Sequence, residues 1–140
     1  MSRKNKANSR GMLPDGHLQK SESYFKAEHA LYANHRYLKL NGLQRGLLFD
    51  LCATHNGFNN GDLVLTPTFA EELGWNYKTV KNNKQALIDS GLIRVVGRKP
   101  LNNYKYMDLY AIAWRPLDED CNKYITEEAK KKRPLKLKFE

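Results

Sequence analysis

Residues 62–114, DLVLTPTFAEELGWNYKTVKNNKQALIDSGLIRVVGRKPLNNYKYMDLYAIAW, decide the fold, and residues 76–90 decide how that stretch is read. Asn76 has a side chain that accepts from the free N–H groups of a helix start, and Gly91 is the residue type that most easily ends one. The span between them predicts one helix of about four turns. Upstream, Thr66 as cap, Pro67 at the first helical position, and Phe69, Ala70 and Leu73 on one face predict a helix over residues 67–73. Gly74 and Trp75 leave room only for a tight turn. Two short helices joined this way make a helix-turn-helix, whose second helix is the one presented to DNA.

After Gly91 the pattern changes. Residues 92–99 are β-rich and basic, residues 100–103 are turn-like, and residues 104–114 are β-rich again, which predicts a hairpin, or wing. In the returning strand Tyr110, Ile112 and Trp114 alternate with Ala111 and Ala113. One face is expected to cover the helices and the other to carry small residues. Leu63, Val64 and Leu65 suit a third strand at the hairpin base. The expected class is α+β: a winged helix-turn-helix, with three or more helices packed on a small antiparallel hairpin.

These residues resemble the winged-helix proteins of phages, plasmids and other mobile elements of bacteria. The resemblance is carried by Asn56-Gly57-Phe58-Asn59-Asn60-Gly61 (an NGxNNG turn), Ala70 to Gly74 followed by Thr79, Ser90-Gly91-Leu92-Ile93, and the closing Tyr110-Ala111-Ile112-Ala113-Trp114-Arg115-Pro116. It covers residues 24–116 and implies DNA binding on a mobile element. One position departs from the family pattern. Lys84 stands where such proteins usually carry an apolar residue, so either its stem lies along the core with the ammonium outside, or the helix is rotated with Asn83 outward.

The 140-residue chain suits one domain with tails: residues 1–22 a basic arm expected to be disordered, 23–116 the winged-helix domain, and 117–140 a C-terminal helix and basic tail. The arm carries Arg3, Lys4, Lys6, Arg10 and Lys20, and two readings stay open, a groove-binding arm and a solubilising tail. From Tyr24, the apolar residues Phe25, Ala30, Leu31, Tyr37, Leu38 and Leu40 predict one short helix or two. Asn41 then caps a helix over residues 42–54, with Leu43, Leu47, Leu48, Leu51 and Cys52 buried and Gln44, Arg45 and Asp50 outside. The recognition helix is expected to pack against it.

Past Trp114, residues 121–133 predict a short helix, with Thr126, Glu127 and Glu128 near its start and lysines at its end, a candidate dimer contact. Pro134 ends it. Leu135, Leu137 and Phe139 then alternate with Lys136 and Lys138, a tail able to join a partner's sheet edge or to remain a frayed end.

Composition narrows the function classes. No apolar run approaches the ~18 residues of a membrane span, and the N-terminus lacks an apolar stretch after its charges, so the expected location is the cytoplasm. Cys52 and Cys121 are far apart, which fits unlinked thiols; Cys52 and His55 alone are read as a buried thiol beside a surface histidine. The NGxNNG turn lacks the lysine and serine of a P-loop and is read as a structural turn. No cofactor is implied. Asp50, Asp62, Asp89 and Asp108 are scattered, and no nucleophile has a histidine and an acid in company, so an enzyme is not expected.

A net charge of +9 points to a polyanion, and the cations between Asn76 and Lys99 fall on both DNA-facing elements. With Val80, Leu87 and Ile88 inward, beside Ala86 and Asn83, the outward set is Tyr77, Lys78, Lys81, Asn82 and Gln85. Asn82 and Gln85 suit adenine, Lys78 and Lys81 guanine or phosphate, and Tyr77 a sugar or thymine methyl. Asn76 and Thr79 lie at the helix start, where N–H groups face phosphate. In the wing, Arg98 and Lys99 near the tip, with Asn102, Asn103 and Lys105, would grip phosphate or the minor groove. The expected partner is double-stranded DNA, bound by a repressor-like regulator that could act as a homodimer. The alternatives are a replication initiator or origin-binding factor, and a winged helix that binds a host or phage protein instead of DNA; the C-terminal tail is a candidate contact for a replication or transcription protein.

Overall fold

The computed structural model describes residues 27–102 and 104–137. The expected arm, Tyr24, Phe25, Asn103, Lys138 and Phe139 lie outside the described residues. The chain runs α1 (His29–Ala33), α2 (His35–Leu38), α3 (Gly42–Ala53), α4 (Pro67–Glu72), α5 (Tyr77–Asp89), β1 (Ile93–Pro100), β2 (Tyr106–Ile112) and α6 (Glu127–Lys131). It is an α+β arrangement of several helices around one two-stranded antiparallel hairpin.

Local chemistry sets the helix ends. Asn41 accepts from Gln44 N–H while the Gln44 side chain accepts from Asn41 N–H, a reciprocal cap at the start of α3. Thr66 accepts from Phe69 N–H and Asn76 from Lys78 N–H, as their positions predict. Between α4 and α5, Gly74 adopts φ 79° and Trp75 N–H donates back to Ala70 O at 2.7 Å. That left-handed step reverses the chain in very few residues. Gly91, at φ 82°, ends α5 in the same way.

The main core gathers Leu31, Leu47, Leu48, Leu51, Val80 and Leu87 from the helices and Tyr110, Ile112 and Trp114 from the returning strand. Three expected core leucines are exposed instead: Leu38, Leu43 and Leu73. Leu38 closes α2, Leu43 lies in the first turn of α3, and Leu73 caps α4 with its backbone already leaving the helix. Position at a helix end overrides periodicity in each case. Nor are Gln44, Arg45 and Asp50 free outer residues of α3. Gln44 serves the cap, Arg45 donates to Leu40 O and Leu38 O at 3.0 Å each, and Asp50 accepts from Trp75 Nε1 at 2.6 Å.

The third strand reduces to one bridge. Leu63 and Tyr110 exchange backbone hydrogen bonds of 3.2 and 2.8 Å, and the chain then turns into α4 at Thr66.

The far face of the hairpin is also buried. Leu109 and Ala111 join Val96, Ile125 and Ala129 in a second cluster, so the small Ala111 makes room for the chain after Trp114. A bulge between Val95 and Gly97 breaks the register and lets Gly97 bridge to Ile125, while Thr126 N–H donates to Val96 O at 3.0 Å. Arg94 Nη2 donates to Ala129 O at 2.8 Å. Helix α6, expected as a dimer contact, thus turns its buried side to its own chain. The tail behaves likewise: Leu135 N–H donates to Ala113 O at 2.7 Å, and Leu135 and Leu137 pack on the main core.

Gly97 is where this strap presses hardest, because a Cβ there would collide with the carbonyl oxygen of Tyr124. The obstacle is backbone and has no rotamer by which to withdraw. We expect Gly97→Ala to destabilise the protein by about 1–3 kcal/mol and to raise amide exchange in residues 122–131 ahead of the rest. Uniform protection losses across the chain would contradict that assignment.

His55 is half-buried rather than on the surface, with Nε2 3.9 Å from Asp118 Oδ2. Burial lowers its pKa from 6.5, opposed by Asp118 and reinforced by Arg115. The unfolded chain therefore takes up this proton more readily, so stability is full above about pH 6.5 and falls as the pH drops below it. Urea midpoints measured from about pH 8 to about pH 5 should decline, and His55→Gln should flatten that decline.

Candidate nucleic-acid interface

Helix α5 is held on three sides. Val80 and Leu87 are fully buried, Asn83 donates to Thr79 O at 2.8 Å and accepts from Gln44 Nε2 at 3.4 Å, and Trp75 ties the preceding turn to α3. At the far end Arg36 Nη1 donates to Ser90 O at 3.0 Å, placing a cation at the negative end of the helix dipole. Asn83 thus faces inward and Lys84 is half-buried, consistent with a stem along the core. The helix is not rotated, and its outward face keeps the expected register.

What remains outward is a stripe of exposed residues, Lys78, Lys81, Asn82 and Gln85, at the spacing that shares one helix face. Asn82 makes no side-chain hydrogen bond among the described residues. Gln85 Nε2 donates to Asp89 Oδ1 at 2.9 Å, an exposed bond that a ligand could exchange at small cost. The other sequence candidates stand differently. Asn76 Oδ1 is committed to the cap, leaving its amide nitrogen. Thr79 is half-buried. Tyr77 is only partly outward: it packs against the main core near Tyr110, whose phenol is pushed up to about 12 by burial, then by Asp108 and last by Tyr77. Lys81 Nζ lies 5.6 Å from the Tyr77 ring centroid, so the ring backs the cation.

In the hairpin Lys99, Asn102 and Lys105 are exposed, and Asn103 lies outside the described residues. Arg98 is partly engaged: its Nε is 3.4 Å from Asp108 Oδ1, and its guanidinium sits 5.1 Å from the Tyr106 centroid. Charge and composition do not single out the aromatics here. Tyr104 is fully exposed at φ 61° beside Lys105, and Tyr106 is also exposed. Aromatics interleaved with cations at the hairpin end are the signal that could have found them.

Burial pushes Cys52 up to about 12 and Cys121 up to about 11, the latter helped by Asp62 and Asp118, so neither is a thiolate at neutral pH. Among the described residues no helix is long and apolar enough to cross a membrane. No protein-family model, curated protein or solved structure matches this chain.

Proposed function

We propose that this protein is a winged-helix, sequence-specific double-stranded DNA-binding protein, acting as a transcriptional regulator of a phage or other mobile element. The observation that carries the reading is the α5 face, where two cations and two side-chain amides stand exposed in one stripe on a helix whose opposite side is locked into the core. Amides that donate and accept side by side are suited to reading base edges, and the lysines to phosphates. The tight turn before α5 and the basic hairpin after it suit a recognition helix and its wing.

Selection from a random duplex pool at near-physiological salt tests this directly, because purely ionic binding is suppressed there. Enrichment of a reproducible motif is the expected result. Its position near a promoter, rather than an origin of replication, would assign the regulatory role over initiation. A folded protein that enriches no motif would end the sequence-specific reading.

A further inference from the structure

A groove of about 820 Å³ runs between the C-terminal end of α5, the start of β1 and α6. Its apolar lining comes from Ile88, Ile93, Ala113 and Leu135. Its charge is one-sided: Arg36, Arg94, Lys132 and Arg133 line it against the single carboxylate of Glu128. The groove is open to solvent, and it combines apolar surface with a few placed polar groups, the mixture that orients a small ligand.

The two arginines are the informative part. Each spends one N–H on a backbone carbonyl, Arg36 on Ser90 O at 3.0 Å and Arg94 on Ala129 O at 2.8 Å, which anchors the guanidinium. A guanidinium carries five such donors, so most are left over. Neither arginine pairs with a carboxylate among the described residues. Burial lowers the pKa of Arg94, the mark of a cation that has lost water without gaining a counter-ion. An oxyanion beside it would restore what burial removed.

We propose that this groove binds a small amphipathic anion, whose oxyanion is held by Arg36 and Arg94 while its apolar body lies on Ile88, Val95 and Leu135. Lys132 and Arg133 supply the surrounding positive field. The site lies away from the Lys78, Lys81, Asn82 and Gln85 stripe in sequence and in lining residues, so it stands whether or not α5 contacts DNA. If it does, a ligand touching Ile88 and Gly91 at the end of α5 and Val95 on β1 contacts both DNA-facing elements, the arrangement expected of an effector.

Calorimetric titration of the full chain with phenyl phosphate tests the site, with inorganic phosphate and phenol as the separate halves of the ligand. The expected result is one site per chain, with phenyl phosphate binding about tenfold or more tighter than either half. Arg94→Met should weaken it about tenfold or more. That change also releases Ala129 O, so the exposed pair Lys132→Glu/Arg133→Glu, which removes field without touching a hydrogen bond of the fold, should weaken it as well. Lys78→Ala/Lys81→Ala should leave it unchanged. Equal affinity for phenyl phosphate and inorganic phosphate, or equal losses in the α5 and groove variants, would show diffuse attraction to a basic protein and overturn the proposal.

Discussion

Asn60→Ala is expected to lower the unfolding free energy by about 3–5 kcal/mol, read as a drop in the urea midpoint with unchanged slope. Asn60 is 0 % exposed. Its Oδ1 accepts from Ile112 N–H at 2.7 Å, and its Nδ2 faces the carbonyl oxygens of Ile112, Arg115 and Pro116 at 3.1, 3.3 and 2.9 Å. Its backbone exchanges hydrogen bonds with Asp118, donating to Oδ2 at 2.7 Å and accepting from the amide at 2.8 Å. One side chain thus joins the turn before α4 to the end of the hairpin and to the start of the strap.

Alanine strands the buried Ile112 N–H and takes the amide donor from the part-buried carbonyls of Arg115 and Pro116, and each buried orphan costs about 1–3 kcal/mol. Asn60→Asp separates the two halves of the argument. It keeps the acceptor for Ile112 N–H but sets a carboxylate oxygen against carbonyls, so its native state should favour the protonated form. Its stability relative to wild type should therefore rise as the pH falls, the reverse of a typical carboxylate. Loss below about 1 kcal/mol in Asn60→Ala would mean that water or rearrangement satisfies these groups.

The second large effect concerns binding. Replacing Lys78, Lys81, Arg98 and Lys99 together by alanine should weaken duplex binding on the order of a hundredfold at moderate salt and flatten the salt dependence by about 0.9 for each phosphate no longer neutralised. Arg98 should contribute least of the four, because Asp108 already offsets its charge. Asn82→Ala and Gln85→Ala should behave differently. They would relax preference at particular base pairs by about 1–3 kcal/mol each while leaving the salt slope nearly intact. Unaltered activity in the quadruple variant would instead favour a protein partner for this face.

Much of the architecture was legible from residue types acting over a few positions. Asn41, Thr66 and Asn76 cap the helices they were expected to cap, and Gly74 and Gly91 take the left-handed turns that only glycine enters cheaply. The alternation of Tyr110, Ile112 and Trp114 correctly marked the face toward the helices. Likewise, the inward set of α5 followed from its period, so the exposed stripe of the candidate interface was readable there with only Tyr77 misplaced.

Long-range pairing decided the rest. The sequence marks Asn60 as a turn residue, yet its worth comes from carbonyls more than fifty positions away. Asp50 looks like solvent-facing charge until Trp75 arrives to donate to it. Ala111 reads as part of an empty face, and the strap that fills it is recognisable only once Gly97 and Ile125 are paired. Capping and periodicity are local properties, carried by backbone geometry within a turn or two. Burial of a polar side chain, or closure of a sheet face, depends on which distant segment brings the matching donor, acceptor or apolar surface, and only the folded chain makes that choice.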